Sequence, residues 1–167
     1  MRHLIAVLVS TTALLTSPIA LAAGDATNGK NVALAKGCAG CHGVDGNSPA
    51  PTWPNIAGQG EKYLANQLMA FRDNDVNKSG RANAVMYGFA KDLSDQEIAD
   101  ISAYFASQNA KTGEAQPDNV DHGLQLYRGG DKTRGIPSCM GCHGPTGAGN
   151  PASGYPRLAG QWATYTE

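Results

Sequence analysis

Two short segments of the chain carry the residue types best suited to chemistry. Each holds two cysteines separated by two residues, with a histidine directly after the second: Cys38, Cys41 and His42 in CAGCHG, and Cys139, Cys142 and His143 in CMGCHG. Such a set could bind zinc, form a structural disulfide, exchange electrons as a thiol–disulfide pair, or anchor a haem through two thioethers. Their spacing and surroundings decide between these chemistries.

Covalent attachment of haem accounts for the pattern best. A zinc site would have to join cysteine pairs that lie far apart in the chain, and it would leave both histidines without a role. Thiol oxidoreductases place their Cys-x-x-Cys motif beside a strand, and no strand pattern appears here. In Cys-x-x-Cys-His, two thiols on one helical turn face the vinyl groups of a porphyrin, and the histidine is the proximal iron ligand. The sequence therefore predicts two c-type haems.

The two motifs belong to a longer internal repeat. GCAGCHGVDGNSPAPTWPNIAGQG aligns with SCMGCHGPTGAGNPASGYPRLAGQW, and a helix-like stretch precedes each copy. Aromatic residues make up only 7% of the 167 residues, while glycines number 21 and prolines 9, so each copy has few large side chains for a core of its own. Small units of this kind need another source of buried apolar surface, and haem would supply it.

Helical patterns predict the elements that must position the motifs. Asp25 suits the N-cap and Gly37 the C-terminal stop of a helix before the first motif. Residues 60–74 carry apolar side chains at helical spacing. LSDQEIADISAYFASQ is the clearest helix, since Ser94 and Glu97 form a capping box before its apolar face.

The remaining segments read as loops and a linker. Residues 81–89, which contain one glycine and two alanines, predict a loop with at most a short helix, and residues 108–120 predict a polar linker. The fold is therefore expected to be all-α with long loops. After the second motif the chain ends near the counterpart of residues 60–74, so we expect its second unit to be incomplete and the chain to be a fragment.

The first 23 residues have the pattern of a secretory signal peptide. Arg2 and His3 precede an apolar run, and Ala20-Leu21-Ala22-Ala23 offers a small-residue cleavage site. A membrane anchor is the less favoured interpretation, because the apolar run is short and Pro18 breaks its end. The formal net charge of −1 gives no basis for nucleic-acid binding. We therefore expect an exported protein.

A methionine is the expected partner of the first iron on the face opposite His42. Met86 lies just before the capped helix, whereas Met69 lies inside a helix at a position suited to core packing. Met140 sits between two cysteines and cannot reach the opposite face of its own haem. No methionine follows it, so the distal ligand of the second haem is expected to be absent from this chain. His122 could in principle be that ligand, but its interpretation as an exposed histidine is favoured.

The mature sequence resembles the dihaem class I cytochromes c of the cytochrome c4 family. The resemblance rests on CAGCHGVDGNS, WPNIAGQGEKYLANQLMAFR, the segment from Met86 into the capped helix, and LYRGGDKTRGIPSCMGCHGPTGAGNPASGYPRLAGQW. It implies two tandem cytochrome c-like domains, at residues 24–110 and, incompletely, 121–167, joined by a linker at 111–120.

The resemblance also implies roles for individual residues. It makes Met86 the distal ligand of the first iron. Pro54 and Pro156 would each offer a carbonyl to the Nδ1–H of a proximal histidine, although shaping the loop explains them equally well. Trp53 and Tyr155 would lie at the haem edges, with ordinary aromatic packing as the alternative.

In function, the resemblance implies a periplasmic one-electron carrier rather than an enzyme. Its partners would be an upstream quinol-oxidising complex and a downstream terminal oxidase, and the carrier would be soluble or loosely associated with the membrane. The alternative functions are the cytochrome subunit of a dehydrogenase, which uses the same haem domains, a dihaem peroxidase, and a gas-binding protein with an open second haem.

Overall fold

The computed structural model describes residues 23–75, 77 and 81–167. Apart from Ala23, the predicted signal peptide lies outside the described residues. Their regular structure is helical: α1 (Ala26–Ala35), α2 (Ala39–His42), α3 (Glu61–Asp73), α4 (Ala84–Ala90), α5 (Asp95–Ala106), a 3-10 helix (Pro117–Asn119), α6 (Val120–Gly129), α7 (Met140–His143) and α8 (Ala163–Thr166). Extended backbone in this part of the chain pairs at two isolated bridges, Asp131 with Ile136 and Asn150 with Tyr155. The all-α prediction is confirmed.

Helices α1 and α5 form the framework of the first half, residues 24–110. Asp25 caps α1 by accepting hydrogen bonds from the backbone N–H groups of Thr27 and Asn28, and the predicted capping box of Ser94 and Glu97 begins α5. Both caps satisfy N–H groups that a helix leaves unpaired at its first turn. The helix boundaries that hold the first motif are therefore encoded locally.

A buried carboxylate fastens these two helices together. Asp100 on α5 is only 2% exposed, and its oxygens accept from the Asp25 N–H at 2.8 Å, from Asn28 Nδ2 at 2.6 Å and from Gln96 Nε2 at 2.8 Å. Burial raises the pKa of Asp100, but these donors together outweigh it and hold the pKa below its ordinary value. Asp100 thus stays ionised while linking the start of α1 to the middle of α5.

The close crossing of α1 and α5 depends on Gly29. A Cβ built at this position would overlap the backbone carbonyl of Asp100, which cannot move without displacing α5. We expect Gly29→Ala to lower the free energy of unfolding by about 2–3 kcal/mol, because overpacking a rigid contact exceeds the gain in helix propensity. Denaturant unfolding of the haem-loaded protein measures the change.

Gly123→Ala on α6 is the matched control for this substitution. Nothing lies within 4 Å of a Cβ at Gly123, so alanine there should leave stability unchanged or raise it by up to about 1 kcal/mol. Equal stability of the two variants would show that the α1–α5 crossing tolerates a side chain.

The apolar core lies where α3 packs against α5 and α4 packs against α3. Its large buried side chains are Leu64, Phe71, Leu93, Ile98, Ile101, Tyr104 and Phe105. Met86, on α4, is partly buried and packs against this cluster. Side chains of this core therefore line a cavity that opens toward the first motif.

Two details differ from the sequence-based expectations. Met86 lies on the two-turn helix α4 rather than in a flexible loop, because Asn83 caps that helix by accepting the Met86 N–H at 3.0 Å. The predicted linker is partly ordered: Lys111 N–H donates to Asn47 Oδ1 at 2.8 Å, and a 3-10 helix at Pro117–Asn119 leads directly into α6. The domain boundaries themselves stay a prediction.

In the second half, residues 121–167, helix α6 supports the second motif. Tyr127 donates its hydroxyl to the Gly144 carbonyl at 2.6 Å, and Ser138 donates to the Arg128 carbonyl at 2.8 Å.

None of the helices formed by the described residues is both long and apolar enough to cross a lipid bilayer.

Candidate haem site

The first motif is held on a single short helical turn. Cys38 precedes α2, and Cys41 and His42 lie within it. Gly37, at φ 79°, separates this turn from α1, and Gly43, at φ 78°, ends it. Both angles lie in the left-handed region that glycine adopts without steric cost. The chain therefore changes direction on both sides of the motif.

The motif opens onto an apolar cavity of about 290 Å³. Cys38, Cys41 and His42 form one part of its wall. Large apolar side chains from three helices and the loop before α3 form most of the rest, namely Trp53, Ile56, Leu64, Leu68, Phe71, Met86, Phe89, Ile101 and Phe105. Two thiols beside a cavity of this character suit a large apolar group attached covalently.

A hydrogen bond fixes the ring of His42. Its Nδ1 lies 2.9 Å from the Pro54 carbonyl oxygen, and a carbonyl can only accept, so Nδ1 carries the proton. Nε2 is then the ring nitrogen available to an iron. Burial lowers the pKa of His42, opposed by the bond to Pro54, so the imidazole is neutral at pH 7, the form that ligates metals.

The second motif repeats this arrangement. His143 Nδ1 donates to the Pro156 carbonyl at 2.8 Å, so both hydrogen bonds implied by the resemblance are present. The Tyr155 ring meets the His143 ring edge-on with centroids 6.0 Å apart. A hydrogen bond with Cys142 raises the pKa of Tyr155.

The cysteines are unpaired in both motifs. Burial raises the pKa of the Cys38 thiol. No three His, Cys, Asp or Glu side chains in residues 23–75, 77 and 81–167 gather into a group that could hold a metal ion. The four cysteines therefore stay in two separate pairs, an arrangement that suits two haem anchors and not a shared zinc site.

Met86 shares the cavity wall with His42, whereas Met69 does not. Met69 lies on α3 and packs against the hydrophobic core. The role of Met86 as the distal ligand stays a prediction. His122, the weak candidate for the second haem, is exposed on α6.

The second half also contributes to the cavity around the first motif. Arg157, Leu158, Gln161 and Tyr165 line it, which the sequence did not suggest. Arg81 also reaches the boundary between the two halves of the chain. Its guanidinium donates to Tyr165 Oη at 2.6 Å and lies 4.6 Å from the centroid of the Phe71 ring. Gln59 and Gln161, which align in the internal repeat, both line the cavity.

Comparison with known proteins decides the family. The cytochrome c family profile matches residues 26–109. The cytochrome c4 of Pseudomonas aeruginosa is 49% identical over 147 residues, covering 88% of this chain and 70% of the relative. The crystal structure of reduced recombinant cytochrome c4 from Pseudomonas stutzeri superposes with a TM-score of 0.80 at 46% identity, covering 86% of this chain and 77% of that one. The chain belongs to the cytochrome c4 family.

Membership of the cytochrome c4 family accounts for the repeat. Its members combine two cytochrome c domains, carry two c-type haems and are electron-transfer proteins, not enzymes. A further relative, named thiosulfate dehydrogenase electron acceptor, from Thiomonas intermedia, is 39% identical over 138 residues, covering 80% of this chain and 60% of the relative. One relative of similar sequence is thus named for the dehydrogenase that donates electrons to it.

Proposed function

We propose that this cytochrome c4 family member carries single electrons in the periplasm, from a quinol-oxidising complex to a terminal oxidase. In this proposal Cys38 and Cys41 hold the first haem and Cys139 and Cys142 the second. The observation that carries it is the meeting of both thiols, His42 and Met86 in one apolar cavity. The N-terminal leader pattern supports export, and loose attachment to the membrane surface would place the carrier near both partners.

The residues around the cavity suit an iron that changes charge without binding substrate. When bound, haem supplies an iron that takes up or gives up one electron. His42 is held in one tautomer and one orientation by Pro54. Met86 would offer a thioether, a ligand type that raises the reduction potential, and would keep small molecules off the iron. The apolar wall excludes water from the haem. This also favours the reduced iron, which carries one positive charge less than the oxidised iron.

A dehydrogenase-linked role is the second candidate. It is favoured by the similarity to the thiosulfate dehydrogenase electron acceptor of Thiomonas intermedia. In that role electrons would come from a partner dehydrogenase in place of a quinol-oxidising complex, and the residues at the haem site would be unchanged. The two candidates therefore differ in partner and not in cofactor chemistry.

Electron delivery to membranes distinguishes these functions. We expect the haem-loaded protein to appear in the periplasmic extract or in a salt wash of membranes, and to titrate reversibly in one-electron steps. The reduced protein should be oxidised by membranes containing a terminal oxidase, and this oxidation should stop when the oxidase is inhibited. Rapid reduction by thiosulfate dehydrogenase with no oxidation by membranes would favour the second candidate. Catalytic consumption of hydrogen peroxide would contradict both.

A further inference from the structure

We propose that Gln59 and Gln161 are positioning residues, each of which strengthens the proximal histidine of the opposite half through one shared peptide group. The inference rests on the proposed function, because it requires both histidines to bind haem iron. It goes beyond that function by assigning each glutamine an influence on the haem of the other half.

The first connection runs from Gln161 to His42. Gln161 Oε1 accepts the Asn55 N–H at 2.9 Å, and Gln161 Nε2 donates to the Asn55 carbonyl at 2.9 Å. The Asn55 N–H belongs to the peptide group whose carbonyl is that of Pro54. That carbonyl accepts the His42 Nδ1–H at 2.9 Å. One peptide group therefore links an amide of the second half to a histidine of the first.

The second connection repeats the first with the halves exchanged. Gln59 Oε1 accepts the Arg157 N–H at 2.6 Å, and Gln59 Nε2 donates to the Arg157 carbonyl at 3.0 Å. The Arg157 N–H belongs to the peptide group of Pro156, whose carbonyl accepts the His143 Nδ1–H at 2.8 Å. Gln59 itself is only 6% exposed. The repeat seen in the sequence thus becomes a reciprocal pair of contacts.

Each glutamine is held so that its amide keeps facing the peptide. Gln161 Oε1 also accepts the Trp162 N–H at 3.0 Å, and Gln59 Oε1 accepts the Gly60 N–H at 2.9 Å. A primary amide can accept and donate at the same time, which neither a carboxylate nor an aliphatic side chain can do. The residue type therefore matches the task at both positions.

The expected electronic effect follows from polarisation along the peptide. Donation of the Asn55 N–H to Gln161 increases the negative charge on the Pro54 carbonyl oxygen, because hydrogen bonds in series reinforce one another. A stronger acceptor pulls harder on His42 Nδ1–H, makes Nε2 a more basic ligand and favours ferric iron. Loss of the glutamine amide should therefore raise the reduction potential of the haem in the opposite half.

Gln161→Leu and Gln59→Leu test the proposal and serve as controls for each other. We expect Gln161→Leu to change the reduction equilibrium constant of the first haem about two- to fivefold, or about 20–40 mV at 59 mV per tenfold change. Gln59→Leu should do the same to the second haem. Each variant removes equivalent contacts from one boundary, so a purely structural role predicts shifts in both haems, or in the haem of the mutated half. Either of those patterns would overturn the proposal.

An NMR measurement adds a second test, because a general loosening of the contacts between the two halves would not shift the Nδ1–H resonance of one histidine alone. In Gln161→Leu the Nδ1–H resonance of His42 should move upfield while that of His143 stays in place, and the reverse should hold for Gln59→Leu. Unchanged resonances at both histidines would contradict the connection.

Two further variants keep the proposal testable if a leucine variant fails to load haem. Gln161→Asn and Gln59→Asn retain a polar amide but are one methylene too short to keep both bonds, and should give the same crossed shifts. The variants could carry two attached haems and titrate reversibly in one-electron steps without any shift in the potential of the haem in the opposite half. That result would overturn this inference alone. Absence of covalent haem from the wild-type chain would instead overturn the proposed function.

Discussion

Replacing Cys38 and Cys41 together by alanine is expected to halve the covalent haem content of the protein. Both thiols lie on or beside one helical turn at the cavity wall, and without them no thioether can form there. The second motif has its own cysteine pair, so one haem should remain. The mass of the denatured protein and haem staining on a denaturing gel measure the loss.

The equivalent double variant of the second motif is the matched control. Cys139→Ala with Cys142→Ala should also leave one haem, and the fourfold variant should leave none. Two haems retained in either double variant would show that the motif concerned is not an attachment site. A fourfold variant that still stains would contradict covalent attachment as a whole.

Met86→Ala is expected to have the largest effect on the first haem once it is attached. We expect loss of the thioether to leave the iron open on the face opposite His42, so that carbon monoxide binds to the first haem of the variant and not to that of the wild type. The reduction potential of that haem should fall by about 0.1–0.2 V, a fraction of the roughly 0.8 V range that axial ligands control. Spectroelectrochemical titration and carbon monoxide difference spectra measure both changes.

Met69→Ala controls for the loss of a buried methionine as such. Met69 packs against the same core but does not line the cavity. Its truncation should therefore lower the free energy of unfolding by at most about 2–5 kcal/mol and should not open the iron to ligands. Carbon monoxide binding in Met69→Ala but not in Met86→Ala would make Met69 the distal ligand. Protection of the first haem in both variants would require another ligand.

Local sequence patterns were sufficient to predict the elements that carry the motifs. The capping box of Ser94 and Glu97 and the N-cap at Asp25 use hydrogen bonds between residues a few positions apart, so the sequence shows them directly. Helix α4 was harder to predict, because its seven residues are too few to establish a period. Its one local signal was Asn83, which caps it.

Contacts between distant segments could not be predicted in this way. Gly29 looks like any helix glycine until the backbone of Asp100 is seen to cross it. The amides of Gln59 and Gln161 repeat in the sequence, but their partners lie in the opposite half. Such pairings depend on how two units meet, and no periodicity within either unit encodes that arrangement.

The mass of the exported wild-type chain after denaturation tests the central claim most directly. Thioether bonds survive denaturation, so the account predicts a mass equal to the processed polypeptide plus two haems, with a positive haem stain. A mass equal to the polypeptide alone, or lower only by the hydrogens lost in disulfide formation, would contradict it.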